Sequence, residues 1–211
     1  MESNHQEITL RAKKSMNDFC SNTVFMLGGG GHASVLMDIL RQNNIVVSGL
    51  FAPNIDPRRA IFSGIPCFED EDEILGMDRH DVILVNGIGF IPGQNTRDAV
   101  SKKFKSSGFK FLNVTARSAE ISNFAKIGSG VQVLPGAIIQ AGAIIEDDTI
   151  INTRATVEHD CFIGQSNHLA PSSTICGGVK TGSNVFVGSN ATVLPGCVLK
   201  DNEIISAGSV R

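Results

Sequence analysis

The sequence predicts a small α/β domain with a parallel sheet, followed by a β-helix built from hexapeptide repeats. Two observations support this prediction. Strands alternate with helices over residues 22–116, and from Ile121 onward every sixth residue is aliphatic almost to the end of the chain. A period of six differs from the helical 3.6 and the strand period of two, and is typical of a hexapeptide-repeat β-helix. Residues 1–21 are polar and predict a flexible extension ahead of both domains.

The hexads run from residue 117 to residue 211 with no insertion or deletion. Fourteen of the fifteen repeat positions are Ile, Leu or Val, and Thr181 is the exception. The positions are Ile121, Ile127, Val133, Ile139, Ile145, Ile151, Val157, Ile163, Leu169, Ile175, Thr181, Val187, Val193, Leu199 and Ile205. Three hexads make one turn, so the repeat predicts five coils, each burying its apolar edge against its neighbours.

The fourth residue after each aliphatic position is usually small, which we expect to let the chain turn the corners of a narrow prism. Pro-Gly pairs at 135–136 and 195–196 mark such corners. Cys161 and Cys197 occupy small-residue positions, so we interpret them as packing residues and not as nucleophiles. Asn167 and Glu203 break the small-residue rule, and positions that break a local rule are enriched at functional sites.

The N-terminal domain is predicted from apolar runs and helical spacing. Strands are expected at 22–27, 45–51, 81–86 and 109–114, helices at 32–42 and 94–107, and a short helical turn at 71–76. Strands that alternate with helices imply a parallel sheet.

A glycine-rich loop, Gly28 to Gly31, follows the first predicted strand and leads into the first helix. Gly28, Gly30 and Ala33 match the pattern G-x-G-x-x-G/A. Such a loop lets the backbone approach a phosphate at a helix N-terminus. No acid stands at the end of the second strand, which disfavours NAD. Nucleotide-phosphate binding and a purely structural tight turn both remain open.

Glu158-His159-Asp160 is the first candidate catalytic segment. His159 lies two residues after an inward position, near a corner and away from the packed interior. An acid on each side could hold the ring and raise its basicity, as a general base requires. The alternative is a solvated surface histidine. His168, beside Asn167, is a second candidate that could donate to a thioester or amide carbonyl; its alternative is a solvent-facing side chain.

Composition excludes several classes of function. The net charge is −3, so there is no basic excess for nucleic acid or an anionic membrane. Five cysteines without a C-x-x-C pair argue against a disulfide framework or zinc site and fit a reducing cytosol. No stretch approaches the roughly 20 apolar residues of a membrane span, and the N-terminus lacks the apolar core of a signal peptide.

Several segments together resemble one known family, over roughly residues 22–210. They are the glycine-rich loop with His32, Asn152-Thr153, Glu158-His159-Asp160, Ile163-Gly164, His168-Leu169-Ala170-Pro171 and Gly177-Gly178-Val179. This set resembles the bacterial sugar O/N-acyltransferases, which include nucleotide-amino-sugar N-acetyltransferases and sialic acid O-acetyltransferases.

The resemblance implies a left-handed β-helix and a homotrimer, with acetyl-CoA between adjacent β-helices and no metal. It implies that His159 is the general base and that Asp160 increases its basicity. His168 would contact acetyl-CoA near the thioester, with Gly177, Ser189 and Ala207 along the CoA path. The nucleotide-sugar would meet Gly30, Gly31, His32, Ile88, Gly89 and Asn152. Many members carry an acidic pair where this chain has Ala52-Pro53.

The expected function is therefore direct acetyl transfer from acetyl-CoA to the amino group of a nucleotide-linked deoxy-amino-sugar. Two alternatives stay open. One is O-acetylation of a sialic acid or related sugar acid, and the other is a non-catalytic nucleotide-sugar-binding trimer. Sugars of this kind would supply surface glycans, lipopolysaccharide or glycoprotein in a bacterial cytosol.

Overall fold

The computed structural model describes residues 23–211, so the predicted extension at 1–21 lies outside the described residues. The chain divides into two compact units. The first contains residues up to Gly89 together with Val100–Phe111, and the second contains Phe90–Ala99 together with Leu112–Arg211. The sequence placed the domain boundary at 116/117, whereas the structure divides the chain after Phe111 and groups residues 90–99 with the β-helix.

The first unit contains a five-stranded parallel sheet with strand order β3-β2-β1-β4-β5. Its strands are β1 Thr23–Leu27, β2 Val47–Phe51, β3 Cys67–Phe68, β4 Val82–Asn86 and β5 Lys110–Phe111. Two helices, α1 Gly31–Gln42 and α2 Thr96–Ser106, and two 3₁₀ turns, Ala60–Phe62 and Glu71–Gly76, complete the elements between β1 and β5. All five residues of the central strand β1 are buried, as expected for a parallel strand covered on both faces. The predicted parallel sheet is confirmed.

Two strand predictions were wrong in detail. Strand β3 was missed because it has only two residues, one exposed and one half-buried, so it shows no apolar run. The strand predicted at 109–114 is split: Lys110–Phe111 pairs with β4, whereas Val114–Thr115 pairs with Gln132–Val133. Asn113 lies between the two pieces and bonds through its side chain to Gly128 and Val131 of the β-helix.

The second unit is a parallel β-helix of sixteen two-residue strands, arranged as three sheets. Face A contains Glu120–Ile121, Ile138–Ile139, Thr156–Val157, Thr174–Ile175 and Thr192–Val193. Face B contains Lys126–Ile127, Ile144–Ile145, Phe162–Ile163, Lys180–Thr181 and Val198–Leu199. Face C contains Val114–Thr115, Gln132–Val133, Ile150–Ile151, His168–Leu169, Phe186–Val187 and Ile204–Ile205. Each strand pairs with those one coil away, for example Ile139 with Val157, which confirms the 18-residue coil.

The corners between faces are made by residues with positive φ at intervals of six. They are Gly130, Gly136, Gly142, Asp148, Arg154, Asp160, Ser166, Ser172, Gly178, Asn184, Asn190, Gly196, Asn202 and Gly208, with φ between 55° and 77°. This corrects one expectation. The turn is made at the third residue after the aliphatic, while the small fourth residue points inward: Ala137, Ala155 and Ala191 are fully buried in the core.

Thr181 and Asn167, the two interior exceptions to the repeat, are hydrogen-bonded to each other. Asn167 Nδ2 donates to Thr181 Oγ1 and to the Gly182 carbonyl, and its Oδ1 accepts the Val185 N–H. The Thr181 hydroxyl also accepts the Gly164 N–H at 2.9 Å. The two departures therefore compensate one another inside the prism. They form a satisfied polar pair, which is the condition for burying such groups at low cost.

We predict that Thr181→Val, which restores the aliphatic pattern, destabilises the protein. The change keeps the side-chain volume but leaves the Gly164 N–H without its acceptor and removes one acceptor of Asn167. An unsatisfied buried donor costs about 1–3 kcal/mol. Denaturant unfolding measures the effect, with Thr192→Val on the outward side of face A as control. Equal stability of the two variants would show that the polar pair is not needed.

The segment 90–99 is held against the β-helix by a buried charge. Arg97 is 5 % exposed, and burial lowers the pKa of its guanidinium to about 10, an effect that nearby Asp148 partly offsets. Arg97 also donates to the Asp148 carbonyl, and Asp98 accepts the Ser166 hydroxyl at 3.1 Å. Asp148 and Ser166 lie on the corner between faces B and C, so they fix the segment that carries Phe90.

Neither α1 nor α2, nor any other helix in residues 23–211, has both the length and the apolar character needed to cross a membrane.

Candidate active site

The glycine-rich loop packs against the segment that follows β4. Gly28 has φ 95°, and a Cβ there would lie 3.2 Å from Gly87 and Ile88. Asn86 holds the second segment by accepting the Ile88 N–H at 3.0 Å, while its amide donates to Ser101. The loop and the 87–89 segment therefore meet at the carboxyl ends of β1 and β4, where ligands of parallel sheets bind.

Gly30 and Gly31 place the open N-terminus of α1 at this edge. Gly30 is the N-cap without a side-chain cap, and the first turn contains no acidic residue. Both glycines are exposed and His32 is half-buried, so the first backbone N–H groups and the positive end of the helix dipole are available to an anion. The predicted residues Ile88 and Gly89 are half-buried beside this loop, and a Cβ on Gly89 would lie 3.5 Å from the Cβ of His32.

Arg59 is a residue of this site that the sequence reasoning missed. Its Nη1 donates to the Ser34 hydroxyl at 3.2 Å, and both terminal nitrogens lie 3.9 Å from where a Cβ of Gly31 would be. The guanidinium thus stands beside the N-terminus of α1 and adds a full positive charge there. The Arg58-Arg59 pair after the second strand was the available signal.

Asp56 is the first acidic residue after β2, and its carboxylate is bound to Arg58. Its carboxylate accepts bonds from the main-chain N, Nε and Nη2 of Arg58, which lower the pKa of Asp56. Ala52 is buried, and Pro53 is exposed. Residues 52–53 therefore offer no carboxylate, whereas the cation Arg59 lies beside the N-terminus of α1.

His159 lies on the corner between faces A and B, with its side chain 66 % exposed. Its Nδ1 lies 2.9 Å from Asp160 Oδ2. Because an ionised carboxylate only accepts, this contact places the ring proton on Nδ1 and leaves the lone pair on Nε2. That is the tautomer a general base needs. Within residues 23–211, the ring has no such contact with Glu158. Of the two flanking acids, Asp160 is therefore the one that holds the ring.

Two glycines in the adjacent coils make room for this pair. A Cβ on Gly177 would lie 2.7 Å from both Nε2 and Cε1 of His159. A Cβ on Gly142 would collide with the Asp160 carboxylate. Gly177 was predicted as a cofactor-binding residue; the structure shows that it also forms the surface under the imidazole.

His168 and Asn152 form a second pair of polar side chains. His168 lies on face C, and Asn152 lies on the corner between faces C and A. Asn152 Nδ2 and His168 Nε2 are 2.9 Å apart. His168 is only 9 % exposed, so the alternative of a solvent-facing side chain was wrong. The ring lies edge-on to Phe90 and Phe186, which stack on each other with centroids 5.6 Å apart.

The other predicted CoA residues line the same corner as Asn152. Ser189 and Ala207 stack one and two coils beyond Pro171, joined by backbone bonds at each step. A shallow groove at this corner is lined by Thr153, Arg154 and Pro171, among others. In a single chain, the predicted site residues therefore occupy two different corners: His159 with Gly177 on one, and Asn152 with Ser189 and Ala207 on the other.

Cys161 and Cys197 pack in the core of the β-helix or against it. Cys161 is 1 % exposed, and desolvation by burial raises the pKa of its thiol. Cys197 is partly buried against the same core. A buried, protonated thiol is a poor nucleophile, so Cys161 is unsuited to covalent catalysis.

Known structures share this architecture. PerB, a perosamine N-acetyltransferase from Caulobacter crescentus solved with CoA and GDP-perosamine, is 32% identical with a TM-score of 0.79, covering 90% of this chain and 88% of that one. The chain belongs to the left-handed β-helix family of sugar N-acetyltransferases. The predicted fold class, including the left-handed coil, is thereby confirmed.

A more distant acetyltransferase domain shares the fold, and two curated N-succinyltransferases match part of the sequence. The acetyltransferase domain of PglB from Neisseria gonorrhoeae has a TM-score of 0.76 at 21% identity, covering 90% of each chain. A 2,3,4,5-tetrahydropyridine-2,6-dicarboxylate N-succinyltransferase from Cereibacter sphaeroides is 27% identical over 122 residues, 50% of this chain and 40% of that protein. The Bartonella bacilliformis enzyme of the same name is 26% identical over 129 residues, 53% and 43% respectively. The chain thus spans less than half the length of these curated relatives. No protein-family model matches it.

Proposed function

We propose that this protein transfers the acetyl group of acetyl-CoA to the amino group of a nucleotide-linked deoxy-amino-sugar. One observation carries the proposal. The chain is 32% identical to PerB, an N-acetyltransferase solved with CoA and GDP-perosamine, and the match covers 88% of PerB. The His159–Asp160 pair and the open N-terminus of α1 supply the two chemistries that such a reaction needs: a base, and a place for phosphate.

The diphosphate of the nucleotide-sugar binds at Gly30, Gly31 and His32. The uncapped N–H groups of α1 meet the phosphate oxygens, and Arg59 neutralises part of the charge. Ile88 and Gly89 border the same loop and contact the substrate beyond the phosphates.

We predict that Arg59→Ala weakens binding of the nucleotide-sugar and leaves acetyl-CoA binding unchanged. A charge-assisted hydrogen bond contributes about 1.5–3 kcal/mol, so KM for the nucleotide-sugar should rise about 10- to 100-fold. Arg58→Ala is the matched control, because that guanidinium is 89 % exposed and pairs with Asp56. Equal KM values for the two variants would remove Arg59 from the site.

In the chemical step, Nε2 of His159 accepts a proton from the sugar amine as the nitrogen attacks the thioester carbonyl. The new C–N bond forms, the C–S bond breaks, and CoA leaves as a thiolate that takes up a proton. Asp160 holds the imidazole and stabilises its charged form. The products are the N-acetylated sugar nucleotide and CoA.

The catalytic unit is a homotrimer in which neighbouring copies complete each site. Two observations support this proposal. The predicted site residues lie on two separate corners of one chain, and face B exposes the apolar side chains of Phe162 and Val198. Phe124, on the same corner as His159 and two coils away, is 80 % exposed. Analytical ultracentrifugation measures the assembly; a monomer at assay concentration would contradict it.

A screen of CoA release tests the proposed activity. UDP-, dTDP-, GDP- and CMP-linked amino sugars are mixed with acetyl-CoA, and the products are read by mass spectrometry. The proposal expects one acetyl group to be added to at least one amino-sugar nucleotide, with stoichiometric CoA. Saturable binding of a nucleotide-sugar without CoA release would favour a non-catalytic role.

We place this reaction in the bacterial cytosol. The relatives are bacterial proteins, and the cysteines of the described chain, Cys67, Cys161, Cys176 and Cys197, are free thiols. Free thiols are typical of a reducing compartment.

A further inference from the structure

We propose that His168 is a neutral positioning residue whose imidazole accepts a hydrogen bond from Asn152, and that Asn152, not His168, presents the donor to the substrate. This inference rests on the proposed function for its catalytic meaning. The hydrogen-bond arrangement is inferred from the contacts that the Asn152 side chain makes with Thr153 and His168.

The orientation of the Asn152 amide is fixed by its own neighbour. Asn152 Oδ1 accepts the backbone N–H of Thr153 at 2.7 Å. The reversed amide would set its NH₂ group against that N–H, donor facing donor. The group that faces His168 is therefore the NH₂ of Asn152.

The tautomer of His168 follows from this orientation. An NH₂ group can only donate, so Nε2 of His168, at 2.9 Å, must accept with its lone pair. A neutral imidazole with its lone pair on Nε2 carries its proton on Nδ1. Protonating Nε2 would place two donors in contact, which opposes formation of the imidazolium.

The surroundings of the ring bury most of it. Nδ1 is buried, and the rings of Phe90 and Phe186 enclose the imidazole edge. Phe90 is held in turn by the segment that Arg97 anchors. With Nε2 engaged by Asn152 and Nδ1 buried, the imidazole is arranged to orient the amide of Asn152.

Asn152 is left as the outward-facing donor. One N–H of its amide points to His168, and geometry directs the second away from the ring. Asn152 is half-buried at the corner that also carries Ser189 and Ala207. The second N–H therefore donates to an oxygen acceptor of the bound substrate, and His168 fixes its direction.

Nitrogen NMR of the substrate-free protein tests the tautomer. Long-range ¹H–¹⁵N correlation spectra of the ¹⁵N-labelled trimer are recorded between about pH 5 and pH 8, where an ordinary histidine titrates. The His168 signals are identified by their loss in His168→Gln. We expect a neutral Nδ1–H ring throughout. Asn152→Asp, which sets a carboxylate oxygen against Nε2, should convert the ring to a form protonated on Nε2. Protonated Nε2 in the wild type, or an unchanged tautomer in Asn152→Asp, would overturn the assignment.

Kinetics test the positioning role separately. Gln at position 168 keeps an acceptor near the place of Nε2, whereas Leu removes it. His168→Gln should retain kcat/KM within a few-fold, and His168→Leu should lose about tenfold, the worth of one hydrogen bond. Asn152→Ala should lose at least as much, with no further loss in Asn152→Ala/His168→Leu. Full activity of His168→Leu, or equal losses in Gln and Leu, would contradict the role. Because the NMR test needs no turnover, its failure leaves the proposed acetyltransferase activity standing, and the reverse also holds.

Discussion

His159→Gln is expected to lower kcat by about 10²–10⁴-fold, the usual contribution of a positioned general base. The substitution removes the Nε2 lone pair that takes the proton from the attacking amine. It should leave the fold intact, because the side chain is 66 % exposed. Initial rates of CoA release and a thermal melt measure the two effects. Since surface substitutions usually change stability by less than about 0.5 kcal/mol, the two melting curves should nearly coincide.

Cys161→Ala provides the matched control for the histidine. Cys161 lies two residues from His159 but is buried, and burial raises the pKa of its thiol. The variant should keep kcat near the wild-type value while losing some stability. If Cys161→Ala were as inactive as His159→Gln, or if His159→Gln kept wild-type kcat, the direct mechanism would be wrong.

Gly177→Ala should produce the second largest loss of activity. The added Cβ would lie 2.7 Å from Nε2 and Cε1 of His159, so the ring must move. Because the ring is exposed, it can move without disturbing the fold. A displacement of about 1 Å at the reacting group lowers rates about 10²-fold. The expected signature is a reduced kcat with an unchanged melting temperature.

Two comparisons separate this steric effect from a general effect of alanine. Gly76→Ala is the control, since a Cβ there meets no atom within 4 Å. The double variant Gly177→Ala/His159→Gln should be no slower than His159→Gln alone, because Gly177 acts through the position of that ring. Additive losses would assign Gly177 a role independent of His159.

The repeat predicted the β-helix well because each coil uses the same interaction. An inward aliphatic every sixth residue and a pairing shift of eighteen residues leave few other solutions for the chain. Strand Cys67–Phe68 was not predicted because it has only two residues and no repeating apolar pattern. The split of the strand at 109–114 depends on Asn113, whose bonds to Gly128 and Val131 are long-range.

Within the candidate site, the sequence predicted the exposure of His159, whereas most of the side-chain contacts could not be predicted. The exposure of His159 was predicted because the residue stands two positions after an inward one. The structure shows an exposed ring in contact with its acidic neighbour Asp160. The enclosure of His168 by Phe90 and Phe186 could not be predicted, because Phe90 is remote in sequence. Arg59 escaped for the same reason, since its partner Ser34 lies 25 residues earlier. Thr181 breaks the aliphatic repeat because its hydroxyl accepts a hydrogen bond from Asn167, a contact that the repeat pattern does not predict.

A comparison of two acceptors, one with an amine and one with a hydroxyl at the same carbon, tests the proposed amine acetylation most directly. CoA release from acetyl-CoA is measured with a nucleotide-linked amino sugar and with the same sugar nucleotide carrying a hydroxyl in place of the amine. We expect rapid CoA release with the amine only, an acetylated product that carries an amide, and loss of that rate in His159→Gln. Faster release with the hydroxyl compound, or turnover that survives the loss of His159, would contradict it.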